Sequence, residues 1–271
     1  MTLRAGLAPM LGLLLVACAA RGGTTTGSAN APSSAVDLTV YAAASLADVL
    51  DQLEPAYEAA QPGTKLTIST DSSAALETQI EQGAPADVFL SADTTNPRKL
   101  VDAGMAAGEP IVFAANKLTV VVPADDPGKV TSPKDLAKPG LRIIAAGDSV
   151  PITGYARQLV DRLGELAGYP ADFASAYAAN VASKEDNVKA VIGKIELGEG
   201  DAGIVYLTDA ATSTRVRTIA VPDEANVAAS YAGVVVGASH HQEPARTFVG
   251  WLIGPDGQAI LRRAGFLAPS G

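Results

Sequence analysis

Ser45, the pair Ser72-Ser73, the run Pro151-Ile152-Thr153-Gly154, the run Asp186-Asn187-Val188 and Tyr206 share one chemical capacity. Each offers a hydroxyl or a backbone N–H, and the positions singled out include no Lys or Arg. The first four groups stand where helical patterns begin. The first turn of a helix has N–H groups without intrahelical acceptors and carries the positive end of the macrodipole. Such donors suit an oxyanion. In VYAAASL, the three alanines before Ser45 would let a ligand approach the backbone closely. Taken singly, each group has an ordinary account, Ser45 as a helix cap and Tyr206 as a core tyrosine. Their recurrence, two helix starts in each half of the chain, favours one site between two lobes.

The elements that would position these groups alternate. Strand-like runs are expected at Asp37–Tyr41, Lys65–Ser69, Asp87–Leu90, Lys117–Pro123, Arg142–Ala145, Gly203–Val205 and Ala232–Gly237. Amphipathic helices are expected at Leu46–Ala60, Ala74–Gln82, Tyr155–Gly164, Val188–Leu197, Ala245–Leu252 and Pro255–Arg263. That alternation predicts an α/β architecture with mainly parallel sheets. A second series begins at KLTVVVP, so the chain is expected to cross between lobes near Ala115–Lys117. The predicted first lobe is 36–115 plus 238–271 and the second is 116–237.

The amino end reads differently. Leu11 to Val16 is an apolar run too short to span a bilayer and suits the core of a secretory signal over residues 1–17. Leu15-Val16-Ala17-Cys18 is similar to a bacterial lipobox, in which the cysteine thiol takes the lipid. Cys18 is the sole cysteine, which also excludes an intramolecular disulfide. Residues 18–35, rich in Gly, Ser, Thr and Pro, are expected to form a flexible lipid-anchored tether. The expected location is thus outside the cytoplasm, on the outer face of the cell membrane or in the periplasm.

With a formal net charge of −9 and no Lys/Arg cluster, the chain lacks the basic face that nucleic acid requires. The only histidines, His240 and His241, are adjacent, and neither a GxSxG turn nor an HExxH pair occurs. No enzyme activity, cofactor or direct protein-to-metal ligand is expected, and the chain is expected to be a monomer.

The words VYAAASL, the serine pair, QIEQGAPADVFLSAD, VVVPADDP, GDSVPITGYA, the stretch from EDNV to GDAGIVYLTDA, and GPDGQAILRRAGF are similar to those of the molybdate-binding lipoproteins of ABC importers. The resemblance runs from Val36 to Phe266. It implies the type II periplasmic-binding fold, two α/β lobes on a hinge that close over molybdate or tungstate, and an ABC permease as partner. It also implies the ligand contacts: hydroxyls and amides of Ser45 and Ser73, amides near Ile152 and Val188, and the Tyr206 hydroxyl. A receptor for sulfate or another tetrahedral oxyanion is the alternative. Two departures stand out. In Val150-Pro151-Ile152-Thr153, where the family commonly has VPAG, Ile152-Thr153 replaces the smaller pair, and Asp71 precedes the serines, where it must turn away from a dianion.

Overall fold

The structure, a computed structural model, describes residues 35–269. The expected signal peptide, Cys18 and nearly all of the tether lie outside the described residues.

Among the described residues, ten strands form two five-stranded sheets. In the first sheet, β1 (Val36–Ala43), β2 (Thr64–Asp71) and β3 (Val88–Ser91) run parallel, in the order β2-β1-β3. The antiparallel strand β10 (Ala229–Val235) follows, and β4 (Ile111–Asn116) closes the edge. In the second sheet β6 (Ile143–Ala146), β7 (Val181–Glu185) and β8 (Ala202–Tyr206) are parallel. There β5 (Leu118–Pro123) lies antiparallel between β8 and β9 (Val216–Ile219). The interior strand β5, LTVVVP, is buried along its whole length, the largely apolar run of a strand covered on both faces. By contrast β7, VASKE, is an edge strand with exposed positions. Its polar composition hides it in the sequence.

The helices sit on the faces of these sheets. They are α1 (Ala47–Ala60), α2 (Ser73–Glu81), α3 (Thr95–Asp102), α4 (Pro151–Glu165), α5 (Phe173–Ala179), α6 (Val188–Glu196), α7 (Leu207–Ala211), α8 (Gln242–Ile253) and α9 (Pro255–Arg263). The C-terminal pair returns to the first lobe, α8 against β1 and β10 and α9 against α1. Tyr57 of α1 meets Phe248 edge-on at 4.9 Å and Trp251 at 5.2 Å, the offset geometry that aromatic quadrupoles favour.

The chain crosses from β4 to β5 over Lys117 alone and returns between Ile219 and Ala229. The return is earlier than expected. The predicted second lobe, 116–237, included the strand YAGVVVG, whereas β10 pairs with β3 and β4 in the first sheet. A run such as YAGVVV suits the interior of either sheet, and only strand pairing assigns it to one of them.

The turn joining α8 to α9 is held by close backbone packing. A Cβ at Gly257 would stand 2.5 Å from the Leu252 carbonyl oxygen and 2.7 Å from its Cα. Gly257→Ala should therefore displace α9 and destabilise the protein by roughly 1–3 kcal/mol. Thermal melting checks this, with an expected fall of about 2–4 °C per kcal/mol.

Candidate functional site

Each site residue sits where a strand ends and a helix starts. Beyond β1, Ala44–Leu46 make one tight 3₁₀ turn into α1, with Ala43, Ala44 and Ser45 all buried. The Ser45 Oγ accepts a hydrogen bond from the Tyr231 hydroxyl at 3.0 Å. Tyr231 in turn accepts one from the Asn116 side-chain amide at 3.5 Å, and that amide also donates to Thr208 at 2.8 Å. With a donor already aimed at its oxygen, Ser45 retains its own proton to give.

The same logic holds at the serine pair. Ser72 caps α2, its Oγ accepting from the Ala75 N–H at 3.3 Å. The Oγ of Ser73, 1% exposed, accepts from the Ala92 N–H at 3.0 Å. Both serines therefore keep a hydroxyl proton. The Asp71 carboxylate accepts from the Ser72 N–H at 2.7 Å and from the Asn187 side-chain amide at 3.4 Å, engaged with donors to each side.

In the second lobe, α4 begins with Pro151 at its first position, where the missing N–H costs nothing. The Ile152 amide lies in the first turn. Thr153 donates its hydroxyl to the Ala146 and Gly147 carbonyls at 3.0 and 2.8 Å. Asn187 caps α6, accepting from the Ala190 N–H at 3.1 Å, so that Val188 opens the helix. Tyr206 ends β8, with its ring 6.4 Å from Tyr155 and 5.5 Å from Tyr231.

All five predicted positions, Ser45, Ser73, Ile152, Val188 and Tyr206, line one small cavity between the lobes. Ser72 and Asn187 line it as well, and among the described residues no Lys or Arg does. The Tyr206 hydroxyl is buried and has no hydrogen-bond partner among the described residues. Burial, then the neighbouring Tyr231, Tyr155, Asp209 and Asp93, hold its pKa well above the ordinary phenol value. It is thus a neutral donor with nothing to donate to. A larger cavity beside α4 and α5 has its cations Arg157 and Lys184 paired with Asp148, so the donors converge at the smaller one.

Sequence reasoning missed Tyr231 and Asn116. Tyr231 lies 186 positions from Ser45, and the strand that carries it looks like ordinary core.

A family model described as bacterial extracellular solute-binding protein matches residues 38–267. The chain belongs to that family. The molybdate-binding protein ModA of Mycobacterium tuberculosis is 34% identical over 256 residues, covering 94% of this chain and 93% of its own length. The solved periplasmic molybdate-binding protein of Azotobacter vinelandii superposes with a TM-score of 0.73 at 28% identity, over 86% of this chain and 100% of that one. The sulfate-binding protein SubI of M. tuberculosis, at 20% identity and a TM-score of 0.75 over 85% of this chain and 86% of that one, shares the fold. The two sheets and their flanking helices form the type II periplasmic-binding fold. These relatives are solute-binding proteins, in keeping with a cleft of hydrogen-bond donors.

Behind Tyr206, Asp209 is fully buried, and burial raises its pKa to about 7 even though Lys189, 3.2 Å away, pulls it down. The folded state thus holds this proton more tightly than the unfolded chain does, so the stability linked to it is present below about pH 4 and lost as pH rises through 7. Asp209→Asn stays neutral throughout. Its melting temperature relative to the parent should climb between about pH 4 and 7, at no more than ~1.4 kcal/mol per pH unit, and level off above. Paired melting curves across that range measure it.

Proposed function

We propose that the chain captures molybdate, and tungstate with it, between its two lobes and delivers the anion to the permease of an ABC importer. The observation that carries this reading is the Tyr206 hydroxyl, buried at the cavity without an acceptor. A tetrahedral oxyanion supplies that acceptor and several more. The first lobe would give the Ser45 and Ser73 hydroxyls and amides, with Ser72 beside them. The second would give the amides of Ile152 and Val188 and the Tyr206 phenol. Similarity to proteins named as molybdate-binding supports the choice of anion.

Hydrogen bonds to a charged group contribute about 1.5–3 kcal/mol each. Six or so of them offset the ordering costs of binding and leave a Kd in the micromolar range or tighter, roughly −8 kcal/mol or better. Selectivity follows from the sign of the groups. Hydrogen phosphate brings a proton that needs a strong acceptor, and among the described residues no carboxylate lines the cavity to take it. The phosphate proton is left unpaired and phosphate is disfavoured. Sulfate brings no proton, so cavity size alone discriminates against it. No step calls for a catalytic group, a cofactor or a bound cation. Because the closed lobes together present all the donors, anion binding favours closure. The chain acts as a monomer held outside the cytoplasm by lipid on Cys18.

A thermal-shift panel tests the reading. Molybdate and tungstate should raise the melting temperature, since a ligand at a hundredfold over its Kd adds about 2.7 kcal/mol. Phosphate should not, and a phosphate shift equal to the molybdate shift overturns the assignment. Tyr206→Phe keeps the ring and removes the donor, so calorimetry should find molybdate bound about ten- to a hundredfold more weakly in a protein that still folds. Cys18→Ser should abolish metabolic lipid labelling and release the protein from membranes.

A further inference from the structure

Three residues after Ser45 stands Asp48, and three residues after Tyr206 stands Asp209. Both carboxylates converge on one side chain, Lys189, the residue next to Val188. The Lys189 ammonium hydrogen-bonds the Asp48 Oδ2 in the first turn of α1 and lies 3.2 Å from the Asp209 Oδ1 in α7. On the other side of Val188, Asn187 reaches the Asp71 Oδ1 at 3.4 Å. The first turn of α6 therefore grips two acidic residues of the first lobe, one on each side of the amide that the anion would use.

We infer that Lys189 is a positioning residue that clasps α6 to α1, holding the lobes closed beside the anion site and keeping the anion from leaving. This rests on the anion-capture reading above. Lys189 and Asp209 belong to the same lobe and stay together whether the cleft is open or shut. Asp209 has no exposed side-chain surface and Lys189 has 29%, and removing the cation would strand a buried carboxylate. Asp48 is the partner that departs on opening. The Lys189–Asp48 bond is thus made only in the closed arrangement, which is the differential contact needed to bias that equilibrium. Burial works against charge on both groups, yet the net pKa shift of Lys189 is upward, through Asp209 and Asp48, and that of Asp48 downward, through Lys189 and Thr212. Each ion stabilises the other's charged form. The clasp also neutralises Asp48, which would otherwise face a dianion three residues from Ser45.

Asp48→Asn is the clean test, because Asp48 is half-exposed and its loss leaves no buried charge unpaired. Molybdate dissociation is followed by stopped flow, and the ligand-free radius of gyration by small-angle scattering. Asp48→Asn should speed dissociation about three- to tenfold with little change in the association rate and should enlarge the ligand-free particle. On charge alone, removing a carboxylate near a dianion would slow dissociation, so the two accounts predict opposite signs. Lys189→Met should dissociate faster still, and Lys189→Arg should restore most of the parent rate. Dissociation from Asp48→Asn at or below the parent rate overturns the clasp. If the parent protein gives no molybdate signal, anion capture is what fails. The scattering arm then decides the clasp alone: an enlarged ligand-free Asp48→Asn particle upholds it and an unchanged one overturns it.

Discussion

A buried hydrogen-bond donor without an acceptor costs free energy comparable to a lost bond, and the arrangement of this protein's cleft turns on donors left in that condition. The Tyr206 hydroxyl is one of them, orphaned among the described residues. The amides of Ile152 in α4 and Val188 in α6 are others, deprived of intrahelical acceptors by the geometry of a helix start. The serines point the same way for a different reason. At each, a protein N–H or O–H occupies a lone pair, leaving the hydroxyl proton as the group still to be used. A cleft so built stabilises an acceptor-rich, unprotonated guest and disfavours one that must donate.

The fold serves that requirement by bringing five strand ends to one place. In open α/β sheets the carboxyl ends of parallel strands face a common side. Here β1 and β2 in one sheet lead into Ser45 and the serine pair, and β6 to β8 in the other lead into Ile152, Val188 and Tyr206. The single-residue crossing at Lys117 leads from the edge strand β4 to the interior strand β5, and the return leads from the edge strand β9 to the interior strand β10. Tyr231 sits on that return strand and serves both lobes, its ring packed at a tilt against Tyr206 while its hydroxyl donates to Ser45. A hinge strand thus supports the donor set on each side of the cleft.

An acidic chain that holds an anion must also control its own carboxylates. Asp71 is engaged by the Ser72 amide and by Asn187, Asp48 by Lys189, and Asp93 by Ser91 and Asn96. Asp209, with its pKa near 7, is held partly protonated by burial at neutral pH. Local pairing, rather than the net charge of −9, therefore sets the potential at the cavity. This is how a pocket without Lys or Arg in its lining can suit a dianion.

What the sequence determined by itself is local. The helix start at Val188, the start of α2 to within one residue, the buried run of β5, and the amphipathic faces of α1, α4, α8 and α9 were legible because caps, turn residues and apolar period act within a few positions, although α4 begins at Pro151, four residues before the expected Tyr155. The groups around Ser45, Ser72-Ser73, Pro151–Gly154, Asp186–Val188 and Tyr206 stand out for the same reason, each at its own strand-to-helix junction, whereas the choice of one donor within each group comes from the family resemblance. The polar helix α3 and the edge strands β7 and β9 were not, because few of their residues are buried and no strong period marks them. Only the tertiary structure decided that β10 belongs to the first sheet, that Tyr231 donates to Ser45 from 186 positions away, and that Asp48 and Asp209 share Lys189. Those are pairings between segments that are each stable in several contexts, and the free energy that selects one partner arises only when both surfaces are buried together.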